Sequence, residues 1–296
     1  MIVVTTPTGH IGSQLVPLLL AAGAPARVIA RKPGKLSAEV QSRVEIVQGS
    51  TDDFKSLCQA FKDADAVFWV VPPPFQHTDL NAYMRHFVEP ACEAITAQGV
   101  KRVVAVSSLG RGLAKSALLL PAFGMDEMIG RTGVSYRALW CPGFMENTLR
   151  QVQPIRDQGM FFGLDRPDKK TPLVATRDIA ASAARLLLDE SWTGQGGLAV
   201  LGPENLSCSD RAYIMSEVLE RPIRFQPIPP DNYKAQLMQN GASEAMAQGL
   251  VDLAADIYEH GIYDAEPRTL ENTTPTTFRM WCDRVLKPAV VGDVAA

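Results

Sequence analysis

A chain of 296 residues can bury a sizeable core, either as one large domain or as a main domain with a smaller appendage. Its 29 basic and 32 acidic residues give a net charge of -3 without long runs of one sign, so we expect neither nucleic acid nor a membrane as a partner. Five scattered cysteines without a CxxC or cysteine–histidine cluster argue against a disulfide framework and against a metal site. No apolar run is long enough to cross a bilayer, and the start at Met1 leaves no room for a signal sequence, so we expect a cytoplasmic protein.

Short β-branched runs alternate with helical patterns in the first half of the chain, which is typical of repeated βαβ units. Continuous apolar character predicts parallel strands buried on both faces, at residues 2–5, 27–30, 44–47, 66–71, 102–107 and 135–139. Helices are predicted between them at residues 11–22, 53–61, 80–98 and 126–132. Six such strands fit one Rossmann-type, doubly wound parallel α/β sheet.

The regular alternation fades after about Phe144, where proline and glycine become frequent. Helices are predicted in this part at residues 176–188, 210–219 and 243–260, with only short strands between them. The pattern indicates a smaller, mostly helical C-terminal region. We therefore expect a Rossmann domain over residues 1–150 and a second region, partly interleaved with it, over residues 151–296.

The first predicted strand runs into the first predicted helix through the turn Thr5-Thr6-Pro7-Thr8-Gly9-His10-Ile11-Gly12. At such turns, bare backbone N–H groups and the helix N-terminus bind the pyrophosphate of a dinucleotide. Only two glycines of the usual pattern remain, and threonine takes the place of its first glycine. The predicted cofactor contacts in the turn are Thr6, Thr8, Gly9, His10, Ile11 and Gly12. The competing interpretation is a tight strand-to-helix turn that binds nothing.

Two basic residues, Arg31 and Lys32, follow the second predicted strand. NAD-selective domains usually place an acidic side chain here for the ribose 2′-hydroxyl, whereas an arginine suits a 2′-phosphate. A guanidinium can donate two charge-assisted hydrogen bonds to that phosphate, and the lysine adds a second positive charge. The pair therefore favours NADP(H) as the cofactor, with a solvated surface pair as the alternative.

Several segments spread over nearly the whole chain together resemble one known family: residues 5–12, Arg31, and residues 49–52, 106–108, 136–147, 174–180 and 273–278. They are similar to the NmrA-like, atypical short-chain dehydrogenase/reductase family, which includes triphenylmethane reductases and NADPH quinone oxidoreductases. The resemblance implies further cofactor contacts at Gly49, Ser50, Val70, Val71, Pro72, Ser107, Pro142 and Phe144. The chain departs from the family at Ser50, where relatives commonly have an aspartate, and at Thr6-Pro7, which replaces Gly-Ala.

Catalytic residues are harder to assign. Familiar short-chain dehydrogenases use a Tyr-x-x-x-Lys pair, in which the lysine lowers the pKa of the tyrosine. The corresponding residues 121–129 contain neither tyrosine nor lysine. The catalytic group is therefore unknown, and Ser107 and Ser108 are weak candidates whose hydroxyls would meet the carboxamide or a substrate oxygen, or would only cap the next turn.

Two functions of different classes fit this sequence. The first is an NADPH-dependent reductase that transfers hydride to a small, electron-poor acceptor such as a quinone, a dye or a conjugated carbonyl. The second is a non-catalytic, NADP(H)-sensing regulatory protein of NmrA type. The reductase is favoured because apolar and aromatic residues are expected to line a substrate pocket, with ordinary core packing as the alternative for each of them: Phe123, Trp140, Met145, Phe161 and Phe162.

Three further side chains are interpreted as structural. Asp126 and Glu127 are predicted to be charges at a helix N-terminus, and Asp178 is predicted to cap a helix. The oligomeric state is open, with a homodimer among the alternatives.

Overall fold

The computed structural model describes residues 1–164 and 166–292. Within them, the strands are β1 (Ile2–Val4), β2 (Ala26–Ala30), β3 (Glu45–Gln48), β4 (Ala66–Trp69), β5 (Arg102–Ser108), β6 (Ser135–Cys141), β7 (Gly143–Phe144), β8 (Met160–Gly163), β9 (Thr171–Val174), β10 (Gln195–Ala199), β11 (Asn205–Leu206) and β12 (Arg224–Pro227). The α-helices are α1 (Gly12–Ala21), α2 (Ala38–Arg43), α3 (Phe54–Phe61), α4 (Leu80–Gln98), α5 (Leu120–Arg131), α6 (Val152–Gln158), α7 (Thr176–Leu188), α8 (Cys208–Leu219), α9 (Pro230–Gln239), α10 (Glu244–Glu259), α11 (Phe278–Trp281) and α12 (Lys287–Val291). None of the helices in the described ranges is long and apolar enough to span a membrane.

A seven-stranded parallel sheet with the order β3-β2-β1-β4-β5-β6-β10 forms the centre of the protein. The strand order reverses at β1, whose residue Val3 lies between Arg27 of β2 and Val67 of β4. In open parallel sheets, ligands bind outside the carboxyl ends of the strands at this reversal. The prediction of a Rossmann-type, doubly wound sheet is confirmed.

Helices cover both faces of this sheet, because its strands are apolar on both sides. On one face, Leu15 and Leu19 of α1 pack with Ile179 and Ala183 of α7. The other face is covered by α3, α4 and α5, in the same cluster as the strand residue Val103. The ends of the strands are thus the accessible part of the sheet.

The prediction of six strands was wrong by one, because β10 adds a seventh at the edge next to β6. Its sequence, Gln-Gly-Gly-Leu-Ala, has none of the β-branched residues that usually mark a strand. At the second of its two glycines, Gly197, the neighbouring Trp140 side chain leaves no room for a side chain, since a Cβ there would lie 2.1 Å from the indole ring. Close approach of a neighbouring ring is thus the reason for this glycine within a strand.

A third apolar cluster belongs to the C-terminal part of the chain. It joins Met145, Phe161, Met215, Phe278 and Trp281, beside two small sheets of order β11-β9-β7 and β12-β8. This part is not separate from the sheet, because α7 and β10 belong to the layers described above. A division of the chain at residue 150 stays a prediction.

Two local predictions need correction. Helix α5 begins at Leu120 instead of residue 126, so Asp126 and Glu127 are inside the helix and are not N-terminal charges. Asp178 lies in the first turn of α7 but does not cap it; its carboxylate accepts hydrogen bonds from the backbone N–H and the hydroxyl of Thr276, at 3.0 and 2.8 Å. Asp178 therefore connects the C-terminal segment by hydrogen bonds to α7, which packs on the main sheet.

Candidate functional site

The turn after β1 is anchored to β4 by the buried residue Thr5. Its hydroxyl donates a hydrogen bond to the Phe68 carbonyl oxygen at 2.9 Å and accepts one from the Val70 N–H at 3.3 Å. The backbone N–H of Thr5 also donates to Phe68, at 3.2 Å. Because β1 and β4 flank the reversal of strand order, these bonds place the following turn at the ligand crevice of the sheet.

The two glycines of the turn have different roles. A Cβ on Gly12 would lie 2.0 Å from the Thr6 carbonyl oxygen, so α1 can begin against the turn only with glycine at this position. A Cβ on Gly9 would meet the same oxygen at 3.5 Å, an ordinary contact. Gly12 therefore allows the turn to pack, whereas Gly9 leaves its outer surface bare.

The N-terminal end of α1 offers unused hydrogen-bond donors. Ile11 occupies the cap position, and no side chain caps the helix. Among the described residues, none accepts a hydrogen bond from the backbone N–H of Thr8, His10 or Ile11. The side chains of Thr8 and His10 are exposed beside these groups. Free N–H groups and the positive end of the helix dipole together suit an anion such as a pyrophosphate.

A cleft of about 380 Å³ extends from this turn across the ends of β2 and β3. Three exposed cationic residues line it: Arg31, Lys32 and Lys35. Arg31 and Lys32 were predicted from the sequence, whereas Lys35 was not; the short 3-10 turn Pro33–Lys35 places Lys35 at the cleft. Of the other predicted contacts, Thr6, Thr8, Gly49, Ser50 and Pro72 also line it.

Tyr83 of α4 and Asp52 also line the cleft. Burial raises the pKa of Tyr83, and the nearby Arg31 guanidinium opposes that shift, so the phenol stays protonated at neutral pH. The Asp52 carboxylate lies 3.3 Å from Nε2 of His86. An aromatic ring and a carboxylate beside three cations suit the base and ribose of an adenosine with an added phosphate.

The remaining predicted cofactor contacts lie at the carboxyl ends of β4, β5 and β6. Val70 and Val71 follow β4 and are half-buried. The strand ends at Trp69, and the next backbone N–H, that of Val70, donates a hydrogen bond to the Thr5 hydroxyl. Pro142 is buried directly after β6, and Phe144 in β7 is half-buried against the α1 and α7 layer. Val70, Val71 and Pro142 thus lie just beyond the carboxyl ends of β4 and β6, which flank β5 in the main sheet, whereas Phe144 belongs to the small sheet of β7, β9 and β11. Their contacts with a cofactor stay predictions.

Ser107 lies near the end of β5, where it pairs with Trp140 of β6. Its hydroxyl donates a hydrogen bond of 2.7 Å to Oδ2 of Asp126. The same buried carboxylate accepts a hydrogen bond of 2.5 Å from the Tyr136 hydroxyl and forms an ion pair with Arg111. This cluster was not predicted from the sequence, because its members come from two strands, a loop and a helix.

The five predicted pocket residues do not form one cluster. Met145 and Phe161 lie in the C-terminal apolar cluster, where the Phe161 ring packs against Phe225 with centroids 5.0 Å apart. Trp140 packs with Leu109 and Tyr263 at the end of the sheet. The buried Phe123 ring lies under the Arg111 guanidinium, and the half-buried Phe162 is bonded through its backbone to Gln151. A substrate pocket lined by them stays a prediction.

A hydrogen-bond chain joins the turn after β1 to the C-terminal part of the protein. Gln14 of α1 donates to the His10 carbonyl oxygen at 2.5 Å and to the Thr176 hydroxyl at 2.9 Å. The Glu146 carboxylate accepts from the Thr176 hydroxyl at 2.7 Å, from its backbone N–H at 3.0 Å and from Nε1 of Trp281 at 3.2 Å. Glu146 thus supplies the acceptor that the N-terminus of α7 needs.

Within residues 1–164 and 166–292, no three His, Cys, Asp or Glu side chains come together as a metal site. The cysteines are free thiols, and burial raises the pKa of Cys92 to about 11, so this thiol stays protonated at neutral pH.

Three known proteins are similar to this chain over most of its length. The chain is 31% identical over 240 residues to (4-alkanoyl-5-oxo-2,5-dihydrofuran-3-yl)methyl phosphate reductase of Streptomyces griseus, covering 80% of each chain. It is 27% identical to the NAD(P)H azoreductase of Xenophilus azovorans, over 90% of this chain and 92% of the relative. The structure superposes with a TM-score of 0.80 on triphenylmethane reductase from Citrobacter sp. in complex with NADP(H), at 18% identity, covering 98% of this chain and all of the other.

The sequence profile of one family spans the sheet, the phosphate turn and most of the C-terminal part, matching residues 1–278. The family that the motifs resembled is therefore confirmed, and the chain belongs to the NmrA-like family.

Proposed function

We propose that the chain binds NADP(H) across the carboxyl edge of its parallel sheet and reduces a small, electron-poor acceptor. The cofactor assignment rests on two features that adjoin each other in the structure. The uncapped N-terminus of α1, packed against Thr6 through Gly12, opens into a cleft lined by Arg31, Lys32 and Lys35. The first feature suits a pyrophosphate and the second a 2′-phosphate.

The acceptor class is supported by the relatives. Their names give reduction of a dihydrofuranyl methyl phosphate, of azo compounds and of triphenylmethane dyes. These compounds share an electron-poor conjugated system. When bound, NADPH would supply a hydride to such a system; a neutral acceptor also takes up one proton, whereas a cationic triphenylmethane dye is neutralised by the hydride alone. The residues of this chain would bind and orient both partners at the ends of β4, β5 and β6.

Binding and selectivity are tested first by titrating NADPH and NADH against tryptophan fluorescence. NADPH is expected to bind more tightly, and Arg31→Ala should weaken NADPH binding by about ten- to a hundredfold, since a bidentate charge-assisted contact to phosphate is lost. NADH binding should change little. Arg131→Ala is the matched control, because this exposed arginine lies at the C-terminal end of α5. Equal affinities for the two cofactors would refute the assignment.

Turnover is tested by following NADPH oxidation with a panel of quinones, azo dyes, triphenylmethane dyes and enones. Oxidation that needs both the protein and one acceptor class supports the reductase. The second candidate, a non-catalytic NADP(H) sensor, has one observation in its favour: α5 carries no tyrosine or lysine to act as a proton donor. Tight NADPH binding with no turnover of any acceptor would favour the sensor.

A further inference from the structure

The direction of the hydrogen bond between Ser107 and Asp126 limits what Ser107 can bind. A serine hydroxyl has one hydrogen to donate and lone pairs to accept with. At 2.7 Å from Oδ2 of Asp126, that hydrogen is used inside the protein. The Ser107 oxygen is therefore left as an acceptor only.

The partners of Asp126 fix this direction. Tyr136 donates to Oδ1, and Arg111 pairs with Oδ2. Arginine can only donate, and Tyr136 stays a donor because burial and the Asp126 carboxylate raise its pKa well above the usual value. Burial also raises the pKa of Asp126, but hydrogen bonds from Tyr136, Ser107 and Arg111 oppose that shift and favour the carboxylate. The carboxylate is thus the acceptor toward which all three donors point.

The position of Ser107 indicates which part of the proposed cofactor it faces. In the sheet, β2 lies on one side of β1, and β4 and β5 lie on the other. The cations of the cleft, Arg31, Lys32 and Lys35, follow β2 and so lie on the first of these sides. A dinucleotide whose pyrophosphate lies over the turn after β1 extends its nicotinamide half toward β4 and β5. Ser107, near the carboxyl end of β5, is on that side.

We propose that Asp126 is a positioning residue that makes Ser107 a hydrogen-bond acceptor for a carboxamide N–H of the nicotinamide ring. A carbonyl or quinone oxygen of the acceptor needs a donor, which Ser107 in this state is not. Ser107 therefore orients the cofactor and does not protonate or polarise the substrate. The inference rests on the proposed NADP(H) site.

The test uses equilibrium binding of three ligands to the whole protein. They are NADP+, its acetylpyridine analogue, in which a methyl ketone replaces the carboxamide, and adenosine 2′,5′-bisphosphate, which lacks the nicotinamide half. In Asp126→Asn, one amide oxygen replaces two carboxylate oxygens and cannot accept from Tyr136, Arg111 and Ser107 together, so the Ser107 hydrogen is no longer held inside the protein. NADP+ should then bind about three- to tenfold more weakly, the range for one lost hydrogen bond. The other two ligands should keep their affinities.

Ser107→Ala is the second variant, because it leaves the Asp126, Tyr136 and Arg111 contacts in place. It should show the same ligand pattern, and the double variant should lose no more than either single one. Glu127→Gln is the matched control: it neighbours Asp126 on α5 and also pairs with Arg111, at 3.7 Å, and its exposed side chain has no bond to Ser107. It should bind all three ligands normally.

Three results would overturn the inference alone. The first is an equal loss for NADP+ and for the acetylpyridine analogue, and the second is unchanged NADP+ binding in Ser107→Ala. The third is equal weakening of adenosine 2′,5′-bisphosphate in Asp126→Asn, since it would reveal a general structural effect. Failure of the unmodified protein to bind NADP+ would overturn the proposed function and this inference together.

Discussion

Gly12 and Thr6 are in direct contact: the first residue of α1 lies so close to the Thr6 carbonyl oxygen that a Cβ would reach within 2.0 Å of it. The contact is between backbone atoms, so neither partner can move aside as a flexible side chain would. The geometry of the turn after β1 therefore depends on the absence of one methyl group.

Replacing this glycine tests that dependence. Gly12→Ala should lower the free energy of unfolding by about 1–3 kcal/mol, since the backbone must shift to remove the overlap. NADPH binding should fall with it. Urea denaturation and NADPH titration measure the two effects. Gly124→Ala is the control, because nothing lies within 4 Å of the Cβ it would add inside α5; it should be neutral or stabilise by up to about 1 kcal/mol.

Gly9→Ala separates binding from stability. The added Cβ would lie 3.5 Å from the Thr6 oxygen, so the fold should tolerate it. It would nevertheless cover part of the turn that is proposed to meet the pyrophosphate, and NADPH affinity should drop about tenfold or more while the unfolding midpoint stays unchanged. Normal affinity in this variant would contradict the placement of the pyrophosphate.

Lys35→Ala tests the third cation of the cleft. Its loss should weaken NADPH binding about two- to fivefold, as expected for one exposed charge, and should leave NADH binding unchanged. The effect should shrink as salt is added, because exposed charges are screened. Lys55→Ala, at an exposed position on α3, should change neither affinity. A parallel loss of NADH affinity would mean that Lys35 does not act on the 2′-phosphate.

Glu146→Ala tests the hydrogen-bond chain between α1 and the C-terminal part. It removes the acceptor of the Thr176 N–H, the Thr176 hydroxyl and the Trp281 indole N–H. The free energy of unfolding should fall by about 1–3 kcal/mol, the usual result of leaving such donors unpaired. Asn147→Ala, at the exposed neighbouring position, should have little effect. Denaturation followed by tryptophan fluorescence and by circular dichroism compares the two variants.

Asp65 gives a pH prediction. Hydrogen bonds from Lys101 and from the amino group of Met1 lower the pKa of Asp65 to about 2 from a usual value of 3.8. A lowered folded-state pKa stabilises the protein above the unfolded pKa, and this contribution disappears as the pH falls from about 4 toward 2. The carboxylate is partly exposed, so screening limits the contribution to about 1 kcal/mol or less. Asp65→Asn should therefore melt lower than the unmodified protein near neutral pH, and the difference should vanish in acid.

The sequence predicted the sheet well wherever strands are apolar on both faces, as for β4 and β5. It failed at β10, where a neighbouring indole ring requires glycine and therefore erases the usual strand signal. The start of α5 was missed although Pro121 stands in its first turn, a position where proline is favoured. That residue was the available signal for a helix beginning before Asp126.

The site was predictable where its residues are close in sequence. The turn after β1 and Arg31 could be found from local patterns, because backbone geometry and strand order determine their place. The bonds of Asp126 could not be found in this way: Ser107 and Tyr136 lie 19 and 10 residues away and meet it only through packing. Lys35 was missed for a similar reason, since a short turn after Pro33 decides where it points.

The pairing of β10 with β6 has a practical consequence for dissecting the protein. A fragment ending at residue 150 would lack β10 and α7, leaving the backbone of β6 as an open sheet edge and the apolar side of α1 uncovered. Open edges and bare apolar faces promote association between chains. Such a fragment should aggregate when expressed alone, so cofactor binding has to be studied in the whole 296-residue chain.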